Sequence, residues 1–158
     1  MFVVVNTDPL IQRVVVLAEQ IWGDHYPAII GQEQVDYMLR EFQSLAAIRD
    51  QIDGRMEYYL VTSDREDVGY FAVSMDDDVL LLSKLYIKSS ETDRGLGSQS
   101  LKFIQDHWNA GSVKLTVNKQ NSDSIRFYEN RGFAKTGEVV QEIGNGFVMD
   151  DYRMEWSP

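Results

Sequence analysis

The chain has 158 residues, is 44% hydrophobic and 25% charged, and carries a formal net charge of -10. That length suits one domain, residues 1–158, with a sizeable core. The acidic balance argues against a nucleic-acid partner, which needs basic surface to displace counterions; it fits either simple solubility or cationic partners. The chain has no cysteine, which excludes disulfides, thiolate metal sites and a cysteine nucleophile and fits a cytoplasmic location. With only His25 and His107, a histidine-rich metal site is not expected. No apolar run approaches a membrane span, and the start "MFVVVNTDPL" lacks the basic region of a signal peptide, so no membrane partner is expected.

The β-branched residues 2–5 predict a strand. "NTDP" then opens a helix, with Thr7 or Asp8 as cap, Pro9 in the first turn and an apolar stripe of Leu10, Val14, Leu17 and Ile21 that Gly23 ends. Val35, Met38, Phe42 and Leu45 mark a second helix that continues or breaks near Ser44. "MEYYLVTS", "DVGYFAVSM" and "VLLLSKLYI" read as three strands joined by the turns "SDRED" and "DDD". The third run, apolar nearly throughout, suits a central strand buried on both faces. Gly97, Leu101, Ile104 and Trp108 place one face of a third helix against the sheet, and "VKLTV" alternates as a strand. "NSDSIRFYENRGF" is a short capped helix ending at Gly132. "FAKTGEVV" and "DDYRMEW" close the chain as strands. The order β-α-α-β-β-β-α-β-α-β-β predicts a mixed α/β (α+β) domain with antiparallel strands leading into a β-α-β unit.

The segment "ETDRGLGSQSLKFI" lies between the end of the third strand, Ile87, and a helix start near Gly95. Open N–H groups and the helix dipole favour an anion there, and glycines permit close backbone approach. The loop lacks the lysine of a nucleotide P-loop and the third glycine of a dinucleotide fingerprint. On these residues alone, a plain helix start and a phosphate cradle fit equally well. A nucleotide hydrolase does not fit, for want of that lysine and of a clear magnesium site. Asp76, Asp77 and Asp78 read as a solvated hairpin tip, since three consecutive carboxylates in a turn do not all converge.

"LTVNKQNSDSIRFYENRGF" is more specific. It resembles the GNAT superfamily of N-acetyltransferases, whose second half runs as a strand and then N-x-x-A-x-x-F-Y-x-x-x-G-F. Asn121, Phe127, Tyr128, Gly132 and Phe133 match, and Ser124 replaces the alanine. The family's loop, Q/R-x-x-G-x-G/A, aligns without gaps on Gly95 and Gly97, which puts Thr92 at the Gln/Arg place and Asp93 where glycine is frequent. The resemblance covers roughly residues 56–156. It implies the GNAT fold: a central, mostly antiparallel sheet with a parallel, splayed strand pair, flanked by helices.

The resemblance also implies acetyl-coenzyme A as cosubstrate, no metal, and transfer of the acetyl group to a primary amine. That amine belongs to a small molecule, a polyamine or a protein; a homodimer is compatible with it. The pyrophosphate would sit on the loop of Asp93, Arg94, Gly95, Leu96, Gly97 and Ser98, with Thr92 beside it. The Asp93 carboxylate would turn away, and Arg94 would offset it. The pantetheine arm would pair with Leu85, Tyr86 and Ile87, where a backbone N–H near Leu85 or Tyr86 supports the oxyanion. Asn121 would bond the cofactor or fix the loop, with Asn118 a weaker candidate. Without cysteine, direct attack by a neutral amine is the natural route. The leaving thiolate has a conjugate thiol of pKa about 8.5 and free tyrosine titrates near 10, so Tyr128 is protonated at neutral pH and is the expected general acid.

The base is not assigned by sequence: Glu33, His25 and Tyr86 are candidates, and each has an ordinary structural reading. Trp22, Tyr26, Tyr37 and Met38 belong to the N-terminal helices, where the family builds its acceptor site; as large apolar side chains they fit the core as well. The competing function is a non-catalytic acyl-coenzyme A binding module on the same fold, against which the presence of Tyr128 speaks.

Overall fold

Two backbone breaks divide the N-terminal region more finely than its apolar stripe predicts. The computed structural model describes residues 1–158, the side chain of Asp93 excepted, so the expected orientation of that carboxylate lies outside the described residues. After β1 (Phe2–Val4) come four helices, not two: α1 (Asp8–His25), α2 (Pro27–Ile30), α3 (Gln32–Phe42) and α4 (Leu45–Asp53). Pro27 lacks an N–H, and Gly31 takes a φ of 84° that no right-handed helix contains. The break near Ser44 is real: Ser44 caps α4, its Oγ accepting the Ala47 N–H at 3.2 Å. Gly23 does not end α1. The helix runs two residues further, to His25, with the Trp22 and Tyr26 rings packed together across its end, centroids 5.1 Å apart.

The remaining elements are β2 (Glu57–Ser63), β3 (Glu66–Asp76), β4 (Val79–Ile87), a 3-10 turn (Ser89–Arg94), α5 (Leu96–Trp108), β5 (Ser112–Asn118), α6 (Ser122–Glu129), β6 (Ala134–Gly144) and β7 (Phe147–Trp156). They form one seven-stranded sheet of order β1-β2-β3-β4-β5-β7-β6, antiparallel throughout except for the β4–β5 pair. This is the mixed α/β arrangement with a parallel strand pair that the sequence implies. The last two strands are longer than their apolar runs suggest. Asn145 and Gly146, with φ of 54° and 79°, form the two-residue turn that matches strand twist, so β6 and β7 pair up to Gly144 and Phe147.

Two departures from regular pairing create the site. First, β4 pairs with β5 only from Val79–Ser112 to Leu81–Lys114; beyond that the strands diverge. Second, β4 carries a bulge at Ser83, since Ala72 pairs with Lys84 and Val73 with Leu82. The extra residue re-aims the strand. Leu80 and Leu82, and after the bulge Leu85 and Ile87, pack in the cluster that also takes in Leu101 and Ile104 of α5. Tyr86 is thereby turned to the opposite cluster, with α1, α3 and α4. The expectation that β4 is buried on both faces is not met: Leu81 is 41% exposed. Leu81 is still paired with Ser74 and Lys114, so its exposure comes from the face of the sheet, where its side chain packs in neither core cluster.

Beneath the N-terminal helices the buried polar groups form a closed set. Trp22 Nε1 donates to Tyr70 Oη (3.2 Å), Tyr70 donates to Gln43 Oε1 (2.7 Å), and Tyr58 donates to Gln51 Oε1 (2.5 Å). Such pairing removes the desolvation cost that these hydroxyls would otherwise carry, and it holds α1 and α4 in register with β2 and β3.

Candidate active site

Where β4 and β5 part, a cleft passes through the sheet as two adjoining cavities. The larger, about 480 Å3, opens toward the start of α5, and the smaller, about 110 Å3, opens toward α1–α3. Both are lined by Tyr26, Leu85, Tyr86, Ser124 and Tyr128, which therefore mark their junction.

The larger cavity is lined by backbone as well as side chains. Gly95 takes a left-handed φ of 74° and starts α5, whose first N–H groups lie outside the helical ladder. Gly97 lets α5 approach α6: a Cβ there would meet the Phe127 ring at 3.1 Å. Thr92, Gly95, Gly97 and Ser98 all line this cavity, as do Leu85, Tyr86 and Ile87 from the β4 edge that β5 has left. Arg131 lies at the same place. Its Nε donates to Ser98 Oγ (2.9 Å), one terminal nitrogen donates to the Phe127 carbonyl (2.8 Å), and its guanidinium lies over the Phe127 ring at 3.8 Å. A helix N-terminus, a fixed arginine and an unpaired strand edge in one cleft fit the pyrophosphate and amide arm of coenzyme A.

Tyrosine hydroxyls gather at the junction. Burial pushes Tyr128 well above its ordinary range, and nearby Tyr26 adds to this, so Tyr128 stays protonated at neutral pH. Burial likewise takes Tyr26 to about 12, opposed by hydrogen bonds from Tyr86 and Asn121 and reinforced by Asp151. Tyr86 packs edge-on against Trp22 (5.5 Å) and Tyr26 (6.0 Å). Asn121 ties the two sides together. Its Oδ1 accepts the Ser124 N–H that caps α6 (3.4 Å) and lies 3.4 Å from His25 Nε2, while its Nδ2 donates to Tyr26 Oη at 3.5 Å.

The family comparison agrees with this geometry. Residues 28–156 match the acetyltransferase (GNAT) domain family. The chain belongs to the GNAT acetyltransferase family. An uncharacterized N-acetyltransferase encoded in the pepI 3' region of Lactobacillus delbrueckii subsp. lactis is 27% identical over 99 residues, covering 56% of this chain and 57% of that relative. The fold superposes on the PaiA N-acetyltransferase of Thermoplasma acidophilum, solved with coenzyme A, with a TM-score of 0.79, 19% identity and coverage of 100% and 99% of the two chains. It also matches the ribosomal-protein-S18-alanine N-acetyltransferase of Escherichia coli, with a TM-score of 0.73, 14% identity and coverage of 99% and 94%.

The GNAT framework brings most of the sequence-derived candidates into one cleft and leaves a few outside it. Trp22, Met38 and Asn118 line the smaller cavity, and His25 lines the larger. Glu33 is exposed in the first turn of α3 and lines neither. Tyr37 lines neither, because its hydroxyl donates to the Ile143 carbonyl (2.7 Å) and fastens α3 to the β6–β7 hairpin. Arg94 is turned outward, paired with Glu91 (2.7 Å) and Asp64 (3.3 Å), and Leu96 packs into the core.

Ser124, Arg131 and Asp151 are among the lining residues that the sequence does not single out as site residues. In the sequence Ser124 stands out only as a replacement for the alanine of the family pattern. Arg131 stands one residue before Gly132 in "ENRGF", and nothing local distinguishes it from a surface arginine. Asp151 sits in "DDYRMEW", where the alternation alone places one of its two aspartates inward.

Proposed function

We propose that the protein is an acetyl-coenzyme A dependent N-acetyltransferase that acts on a primary amine of a small molecule, polyamine or protein. The observation that carries this reading is Tyr128, a buried hydroxyl that keeps its proton, at the junction of a coenzyme-sized cavity and a second, smaller one. Coenzyme A supplies the activated acetyl thioester. The first N–H groups of α5, the Gly95 and Gly97 backbone and Arg131 would hold its pyrophosphate, and the free edge Leu85–Ile87 would hold its amide arm. Tyr128 would hold its proton toward the sulfur side of the junction, where a thiolate must be neutralised. Asn121 fixes that geometry by fastening α6 to the end of α1. The relatives named as N-acetyltransferases support the amine as acceptor.

A thiol-release assay with acetyl-coenzyme A and a panel of small amines, diamines and peptides with free amino termini tests this. Amine-dependent release is the expected result. Binding of acetyl-coenzyme A with no amine-stimulated release would overturn it in favour of a binding module. Arg131→Met is expected to weaken coenzyme A binding about tenfold, the loss of roughly one charged hydrogen bond, and to flatten its salt dependence; calorimetry at two ionic strengths checks both.

A further inference from the structure

The smaller cavity contains one group that the proposed chemistry leaves unused. We infer that Asp151 is the acceptor-side charge of the enzyme: its carboxylate seats a protonated amine in the smaller cavity and takes one of its protons. This rests on the N-acetyltransferase reading above and gives it a substrate charge and a base.

Asp151 lies on β7 opposite Asn118 of β5 and lines the smaller cavity. It is 1% exposed, and its Oδ1 is the one buried side-chain polar atom without a hydrogen-bond partner among the described residues. A carboxylate oxygen left unpaired in the interior is strongly unfavourable unless a partner arrives. The cavity wall states what partner suits it. Trp22, Tyr26 and Tyr86 present aromatic surface, and the carboxylate presents negative charge. An ammonium offers three donors, a full positive charge and affinity for aromatic faces. An alcohol offers one donor and no charge, and an acid is repelled.

The charged and titratable groups around Asp151 leave it free for this role. Asp150, its neighbour on β7, raises its proton affinity. Lys119, from the turn after β5, opposes this but is already held by Glu138 and Asp150, each at 2.9 Å. The Thr116 hydroxyl of β5 favours the charged form, while Tyr26, Tyr86 and Tyr128 face the cavity as neutral hydroxyls. Arg153, two residues on, donates to the Glu138 carbonyl at 3.1 Å. Lys84 of β4 also lines the cavity, but its Nζ donates to Gln51 Oε1 (3.3 Å) and lies over the Tyr58 ring at 5.4 Å. Burial lowers Lys84 to about 8, so it is still mostly charged near pH 7, but its ammonium is engaged by Gln51 Oε1 and by Ser83 Oγ (3.1 Å) and makes no ion pair with Asp151 among the described residues. Burial is also the main reason that Asp151 binds a proton more readily than an ordinary aspartate, which narrows the gap to an alkylammonium. In the proton step, one N–H bond of the ammonium breaks and an O–H bond forms at Asp151. The products are a neutral amine with its lone pair and a neutral carboxylic acid. The three sequence candidates serve less well: Glu33 lies outside, His25 faces the other cavity, and Tyr86 is pushed by burial well above its ordinary range.

Two measurements on Asp151→Asn, which keeps the shape and removes the charge, test the inference. In the thiol-release assay, kcat/KM for the amine near neutral pH is expected to fall at least about 100-fold, of the order of a lost general base, and the acid limb of its pH profile to move up toward the amine's own ionisation, because the variant can use only amine that is already neutral. The Kd for acetyl-coenzyme A is expected to stay within about twofold, since Asp151 is outside the larger cavity. An unchanged kcat/KM and pH profile would overturn the assignment while leaving the N-acetyltransferase reading intact. Independently of activity, carbon-detected NMR of the Asp151 carboxyl in the wild-type protein should show a midpoint that falls on adding n-butylammonium chloride and stays put with n-butanol. A midpoint indifferent to both would overturn the inference. A midpoint that falls in a protein inactive toward every amine would establish the ammonium site and sink the transferase reading.

Discussion

Tyr128→Phe is expected to lower turnover at least about tenfold while leaving acetyl-coenzyme A affinity within about twofold, because a positioned proton donor contributes a large rate factor and little ground-state binding. The ring of Tyr128 packs against Phe127 and Phe133, with centroids 5.2 and 5.3 Å away, and phenylalanine keeps those contacts. What the substitution removes is the hydroxyl at the junction of the cavities. The pH dependence carries a sign. The protonated form is the active one, and burial raises the value at which it is lost. Wild-type turnover should therefore show no basic limb from Tyr128 between about pH 6 and 9. Turnover of Tyr128→Phe equal to wild type across that range would remove Tyr128 from the mechanism.

Gly69→Ala, at a site with no part in the chemistry, is the second large effect. Gly69 pairs with Ile87 across β3–β4. A Cβ there would run into the Tyr86 carbonyl oxygen and come within 2.6 Å of Ile87 Cδ1 and 3.2 Å of Ile87 Cα. Two of those three atoms are backbone, so a rotamer change cannot relieve the overlap; β4 must shift. Overpacking of this kind costs about 2–3 kcal/mol, or roughly 5–10 °C in Tm for a chain of this size. The shift falls on Tyr86 and Ile87, the proposed holders of the amide arm, so acetyl-coenzyme A should bind less tightly as well. Thermal melts with and without acetyl-coenzyme A measure both. A Tm within about 1 °C of wild type would mean that the β3–β4 contact has slack.

Much of the fold was legible because its signals are local. Ser44 caps a helix whichever side it packs on. Pro27 and Gly31 break one for reasons equally internal to the backbone, but an apolar stripe does not register them, and the two expected helices become four. The turn at Asn145–Gly146 is not among the sequence expectations, and the apolar runs beside it set the strand boundaries too short. Gly23 was misleading because a helix-ending residue yields when aromatic packing one turn later outweighs its propensity, a difference of only about 1 kcal/mol. The apolar run 79–87 was misleading for another reason. Apolarity says that a strand packs somewhere, but it does not say where a neighbour stops or where a bulge reverses the faces.

By itself, then, the order of residues determined the mixed α/β class, the glycine-led start of α5 and the asparagine and tyrosine of the α6 motif, each held within a few consecutive residues. Only the tertiary structure decided that these would meet across a cleft. That outcome depends on β4 and β5 separating after three paired residues and on β7, not β6, lying beside β5. The strand order places Asp151 opposite Asn118, and the close packing of α5 on α6 places Arg131 against Ser98. Such neighbours are distant in the chain, and no local propensity encodes a strand's choice of partner; the burial of the whole sheet does.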